Sequence, residues 1–304
     1  MTVIGAAIIL MWSAALALLA WYVATAAREV TYVTLADGRR QARSLPVVFK
    51  LLLPFAGNFD RLVSRPAFKE QVRVADEMLI GAGFEGIMNG KEFAALKILS
   101  PIAMGAVWCV FIGALSVALP TSPIAAAKLP LCLFGVALFY LQPILWLRQT
   151  LKKRHLEIMK ALPFVLDILT LSVEAGMDFI SALQRNCASR KMDALNEELL
   201  RMTKEIQVGA SRKQALKNMA DRVRQPDLKA VAYALIQADE LGVSIGSILR
   251  IQADQLRSRR FDRAEKLASE APTKMMGPLM LCIFPAVFII LLGPVLSQAM
   301  KELF

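Results

Sequence analysis

Four stretches of this chain contain no Asp, Glu, Lys or Arg: Val3 to Ala27, Ile98 to Leu119, Leu129 to Leu147 and Gly277 to Leu296. Each is close to the ~20 residues a helix needs to cross hydrocarbon, where a backbone must satisfy its own amide groups. The 36 basic and 25 acidic residues have to lie outside the lipid, and 56% hydrophobic residues is too many for one ordinary soluble domain. The expected fold class is therefore an all-α integral membrane protein with four transmembrane helices plus a cytoplasmic six-helix bundle. A shorter apolar stretch, Ser44 to Ala56, is interrupted by Lys50 and too short to cross. It fits a helix lying along the interface, or equally a short buried or loop helix.

The basic residues set the orientation. Eleven fall between Arg28 and Lys97, 23 between Arg148 and Lys274, and only Lys128 and Lys301 elsewhere. Both basic segments belong in the cytoplasm, which puts the N-terminus and the tail Lys301 to Phe304 outside. Ala24-Thr25-Ala26 resembles a small-residue cleavage site, but no Lys or Arg precedes the first apolar stretch. The missing positive n-region favours a retained anchor over a signal peptide. The net charge of +11 suits a surface beside anionic lipid and gives no separate reason to expect nucleic acid.

The domain order expected is an N-terminal transmembrane helix (1–27), a cytoplasmic helical linker segment (28–97), transmembrane helices two and three (98–147), a cytoplasmic helical bundle (148–276), and a C-terminal transmembrane helix with a short tail (277–304). In the linker, Gly81 and Gly83 are the expected breaks. Within the bundle, apolar residues recur at helical spacing. The third span should continue to about Lys160 before Pro163 opens a new helix ended by Gly176. Asp178 is placed to cap a helix from Phe179 to about Ala188. A helix from Ala194 to Val208 should follow, closed by Gly209. Ser211 and Gln214 form a capping-box pair for Arg212 to Arg224. After Pro226, Asp227 should cap a helix through Leu241, Gly242 should end it, and a last helix from Ile245 to about Ala271 should be separated from the fourth span by Pro272.

A search for chemistry yields nothing assembled. No G-x-x-x-x-G-K-[ST] phosphate cradle occurs, so the chain is not itself an ATPase. Cys109, Cys132, Cys187 and Cys282 are scattered without a C-x-x-C pair, which implies neither a disulfide framework nor a zinc site. They read as small hydrophobes. The only histidine, His155, follows Lys152, Lys153 and Arg154. Its place resembles a phosphoacceptor, but with no nucleotide-binding domain after it, it reads as a solvated or lipid-facing side chain. The spans lack the ionisable residues that mark transport pathways. Pro143, Pro285 and Gly293-Pro294 fit packing kinks better than unwound sites. Asp167, Glu174 and Asp178 share one hairpin without a nucleophile or metal ligand. The cluster Arg257-Ser258-Arg259-Arg260 with Arg263 suits lipid phosphates or an acidic partner, or is simply a positive-inside flank. The catalytic, cofactor and metal expectation is none for each.

One ordered series of motifs resembles a known family. Leu162-Pro163, Asp167 and Glu174-Ala175-Gly176-Met177 look like the opening of the type II secretion system F domain, the GspF/PilC-like family. Gly209-Ala210-Ser211-Arg212, Ala220-Asp221-Arg222, Gln237-Ala238-Asp239-Glu240-Leu241-Gly242, Gln252-Ala253-Asp254-Gln255-Leu256-Arg257, Arg260 and Ala264-Glu265 continue it in order. The ending Ala271-Pro272, Phe284-Pro285 and Leu292-Gly293-Pro294 most resembles the TadC branch, that of the tight adherence (Tad) pilus. The resemblance spans about residues 160 to 296.

It implies a platform protein of the bacterial inner membrane, without enzymatic activity or cofactor, that couples a cytoplasmic ATPase to pilin moving out of the membrane. The partners it implies are a TadB-like second F-domain protein, a TadA-like secretion ATPase, pilin subunits and membrane lipid, in an oligomer. The matched positions Glu174, Gly176, Arg212, Arg222, Glu240, Gly242, Arg257 and Arg260 are the expected coupling surface. The alternative function is the membrane subunit of an ATPase-driven transporter, disfavoured by the uncharged spans.

Overall fold

The computed structural model describes residues 31–34, 40–43, 45–57, 63–118 and 127–303. The stretch Val3 to Ala27 lies outside them, so the first of the four expected spans does too. Among the described residues three helices are long and apolar enough to cross a membrane, containing Gly90–Ser116, Lys128–Glu174 and Ile245–Pro294.

In chain order the elements are β1 (Thr31–Thr34), β2 (Arg40–Arg43), α1 (Val47–Ala56), α2 (Lys69–Ala82), α3 (Gly90–Ala118), α4 (Lys128–Glu174), α5 (Phe179–Ser189), α6 (Ala194–Gln207), α7 (Arg212–Val223), α8 (Pro226–Leu241) and α9 (Ile245–Leu303). The all-α expectation holds for the body of the chain, and two four-residue strands are the addition to it. They pair antiparallel with Thr31 opposite Arg43 and Thr34 opposite Arg40. The Thr-Tyr-Val-Thr run has the β-branched and aromatic character of a strand.

Two long helices replace helix pairs expected from the prolines. α4 runs unbroken through Pro143 and Pro163, although an interior proline forfeits a backbone hydrogen bond and costs about 3 kcal/mol. Packing explains the continuity: Leu162, Val165 and Leu166 are almost fully buried around Pro163, and that burial holds both sides of the proline in helical register. α9 likewise runs through Pro272, Pro278, Pro285 and Pro294. Lys274 reaches back over Pro272 to Glu270 at 2.9 Å, and farther on a break would expose peptide groups where no water could satisfy them.

One core draws on six helical stretches, with Ile158 and Leu162 (α4), Leu183 (α5), Leu195 (α6), Leu216 (α7), Leu228 (α8) and Leu249 (α9) all 2% exposed or less. A second core joins α1, α2 and α3 to Leu147 of α4. Phe49 of α1 meets Trp146 edge to face at 5.0 Å, so Val47–Ala56 is a short helix packed into this core. Gly83 ends α2 in the left-handed region, whereas Gly81 stays inside the helix.

The apolar parts of α3 and α4 pack on each other. Ser100 Oγ donates to the Phe139 carbonyl at 2.9 Å, and Trp108 Nε1 donates to the Leu131 carbonyl at 3.1 Å. A Cβ on Gly135 would run into the Trp108 indole, and one on Gly105 would meet Val136 at 2.9 Å. By contrast, no residue of α9 from Arg257 to Pro294 is buried.

Candidate coupling face

Ion pairs draw three turns of the bundle together. Arg212, the first residue of α7, lies 3.7 Å from Asp178 in the α4–α5 turn and 3.2 Å from Asp239 near the end of α8. Beside it, Lys213 pairs with Glu240 at 2.5 Å. Arg250 of α9 reaches Glu174 at the end of α4, at 2.8 Å.

The turns form for local reasons. Asp178 Oδ2 accepts from the amides of Ile180 and Ser181, at 2.9 and 3.4 Å, so it caps α5 as expected. Gly176 has φ +90° and Gly242 has φ +67°, a region that residues with a Cβ adopt only under strain. The Gly176 and Met177 amides return to the carbonyls of Val173 and Ser172, satisfying the end of α4. Ser211 caps α7 by accepting from the Gln214 amide at 3.2 Å. The other half of the expected capping box does not form, because the Gln214 side chain donates to Asn218. Val208, Leu241 and Val243 stand exposed beside these turns, at 81%, 77% and 45%. Charged pairs around exposed aliphatic side chains suit contact with another protein.

The structure thus brings Glu174, Gly176, Arg212, Glu240 and Gly242 to one region. Three matched residues lie elsewhere. Arg257 pairs with Asp167 at 2.6 Å on the α4–α9 flank, and that carboxylate hydrogen bond raises its pKa. Arg260 is exposed and makes no hydrogen bond or ion pair among the described residues. Arg222 is internal: its side chain is 9% exposed and holds Glu198 at 2.8 Å and Glu205 at 2.9 Å. It positions helices and offers little surface to a partner.

Arg222 belongs to a network that sequence reading missed. Arg154, 3% exposed, donates to Glu197 and Glu198 at 2.8 Å each. Burial opposes its charge, but the two carboxylates outweigh that and raise its pKa. Arg201 extends the network to Glu85 in the α2–α3 connection. Arg224, in the left-handed conformation with φ 56°, ties the end of α7 to Glu77 of α2 at 2.6 Å. The adjacent acids Glu197-Glu198 were the available signal, while Arg154 was hidden in the basic run Lys152-Lys153-Arg154.

His155 is neither solvated nor lipid-facing, which corrects its reading from sequence. Half-buried, it sits 2.8 Å from the Val223 carbonyl through Nε2, bridging α4 to α7. Burial lowers its pKa, the carbonyl raises it, and the Arg154 charge lowers it again, for a net depression. Asp227 does not cap α8. Gln225 does so, through the Leu228 amide, and this leaves Asp227 to accept from Arg259 and Arg263 of α9 at 2.9 Å each. Burial works against the Asp227 carboxylate, but hydrogen bonds from Arg263 and Arg259 lower its pKa overall. Cys187 is buried, which pushes its thiol up to about 11 and keeps it unreactive. Among the described residues no three His, Cys, Asp or Glu side chains gather as a metal site requires.

Residues 165–293 match the family model of the type II secretion system (T2SS), protein F. The matched stretch runs from the packed end of α4 through the region around Arg212 and well into the apolar part of α9. No curated protein and no solved structure matches the chain.

Proposed function

We propose that this chain is a platform protein of the bacterial inner membrane, serving a Tad-type pilus or a type II-like secretion assembly. The match to T2SS protein F carries the proposal, since that domain implies a membrane platform in type II secretion and type IV pilus-like systems. In this reading the bundle lies in the cytoplasm, on the side where the basic residues accumulate. A TadA-like ATPase engages the face around Arg212, Glu240 and Gly242, and a TadB-like second F-domain protein completes the platform around the pilin.

The helix lengths support a mechanical role. α4 has 47 residues and α9 has 59, or roughly 70 and 90 Å at 1.5 Å per residue. Each joins the bundle to an apolar stretch without a loop between. A displacement of the coupling face would therefore reach the membrane along continuous helices, the kind of secondary element through which coupling travels. Nothing in this role asks the chain itself to catalyse a reaction.

Co-purification of the tagged full-length protein from its native membrane in mild detergent tests the proposal. Recovery of a second F-domain protein together with a secretion-type ATPase is the expected result. Recovery of an ABC-type ATPase with a substrate-binding protein would reject the platform and favour the transporter.

A further inference from the structure

A cavity of about 220 Å³ lies where α2, α3 and α4 converge. Each helix gives it one stripe at helical spacing: Val74 and Met78 from α2, Phe93 and Lys97 from α3, Ile144 and Arg148 from α4. Its walls are mostly aliphatic and aromatic, and its two cations have a particular place in the chain. Lys97 immediately precedes the uncharged stretch that opens at Ile98, and Arg148 immediately follows the one that closes at Leu147. Ser100 bonds to Phe139 across the same helix pair, so both cations stand at one boundary of the two spans.

The charges around the cavity leave room for an anion. Glu70 is the acid on its rim, and both its oxygens are taken by Arg73, at 2.6 and 3.1 Å. Lys97 Nζ lies 3.3 Å from Gln71 Oε1 and 4.9 Å from the centre of the Tyr140 ring. Neither contact neutralises it. Arg148 is exposed and has no carboxylate partner among the described residues. A cationic rim over an apolar cavity at the membrane boundary matches a molecule that has an anionic head and an acyl tail.

We infer that this cavity is a binding site for an anionic phospholipid, with the head phosphate between Lys97 and Arg148, the glycerol ester region beside Val74, Met78 and Phe93, and the acyl chains leaving past Ile144 along the spans. Bound there, the lipid would brace α2 against the two spans. Flanking cations that only fix topology need no cavity behind them, and here the cavity and both cations coincide.

Native mass spectrometry of the full-length protein, titrated with phosphatidylglycerol or phosphatidylcholine in detergent, tests the site. Two cations near an anionic headgroup predict a roughly thirty-fold preference for phosphatidylglycerol. Lys97→Ala with Arg148→Ala should abolish the preference, while Lys152→Ala with Lys153→Ala should keep it. Val74→Trp, which fills the cavity and leaves both charges, should weaken retention of phosphatidylglycerol, and it decides the matter if the alanine pair fails to fold. Equal retention of the two lipids, equal loss in both alanine pairs, or no effect of Val74→Trp would each overturn the inference. So would displacement by glycerol 3-phosphate at matched concentration, because that would make the ligand a free phosphate.

Discussion

Arg154 of α4 and Glu198 of α6 meet at 2.8 Å with 3% and 5% of their side chains exposed, and Glu198 offers its second oxygen to Arg222 of α7 at 2.8 Å. One carboxylate thus serves two nearly buried guanidinium groups on different helices. Both arginines already carry an unpartnered nitrogen, Nε of Arg154 and a terminal nitrogen of Arg222, so the network has little slack.

Glu198→Ala should therefore destabilise the protein by about 3–5 kcal/mol, the usual effect of removing one partner from a buried pair. Glu205→Ala should cost less, because Glu205 is 22% exposed and water can replace it. Thermal unfolding of both full-length variants in one detergent gives the order. Equal losses would contradict the sharing of Glu198.

Acid should weaken the bundle in two stages. The folded pKa of His155 is depressed below its ordinary 6.5, so its contribution is complete above that value and is lost as pH falls through the folded pKa. The folded pKa of Asp227 is depressed below 3.8, and its contribution is lost at still lower pH by the same rule. The Val223 carbonyl can accept from neutral or protonated His155, so the first loss comes from burial and the neighbouring Arg154 charge. His155→Gln should flatten the stability profile just below pH ~6.5 and leave the lower stage unchanged.

The local signals in the sequence were legible where one residue decides the outcome. Asp178, Ser211, Gly176 and Gly242 ended or began helices as their chemistry requires. Reading failed where tertiary contacts outbid local preference. Pro163 was expected to start a helix, but the burial of Leu162 and Val165 holds it inside one. Asp227 was expected to cap α8, but Gln225 takes that role and α9 supplies arginines. Of the matched residues, the turn positions converge, whereas Arg222 is internal, because nothing in a motif series tells a surface arginine from one that meets two distant carboxylates. The strand Thr31–Thr34 was missed although its Thr-Tyr-Val-Thr run is β-branched and aromatic.

Arg212→Glu provides a test of the coupling face that does not depend on stability. The Arg212 pairs are partly exposed, at 29% for the arginine and 61% and 41% for its partners, so their loss should cost no more than ~1 kcal/mol. On the proposed function, the variant should fold and reach the membrane but retain much less secretion ATPase on co-purification. Unchanged retention would move the docking site away from this face.

The packing of α3 on α4 supplies the last prediction. Gly135 has no side chain because the Trp108 indole occupies that space, and the indole nitrogen is committed to the Leu131 carbonyl one turn away. Within lipid, helix pairs hold together by close backbone approach and such hydrogen bonds, since apolar burial gives no net drive there. Gly135→Val would push the indole out, break its hydrogen bond and separate the helices near Gly105 and Val136, which also meet closely. The loss should reach ~1–3 kcal/mol, the range for overpacked interiors. Trp108→Ala in the same chain should recover part of it, because the space that valine needs becomes free. A cysteine pair placed across α3 and α4 would report the change as slower crosslinking in Gly135→Val membranes, and faster crosslinking again in the double variant. If the double variant crosslinks no faster than Gly135→Val alone, the glycine is not a seat for Trp108.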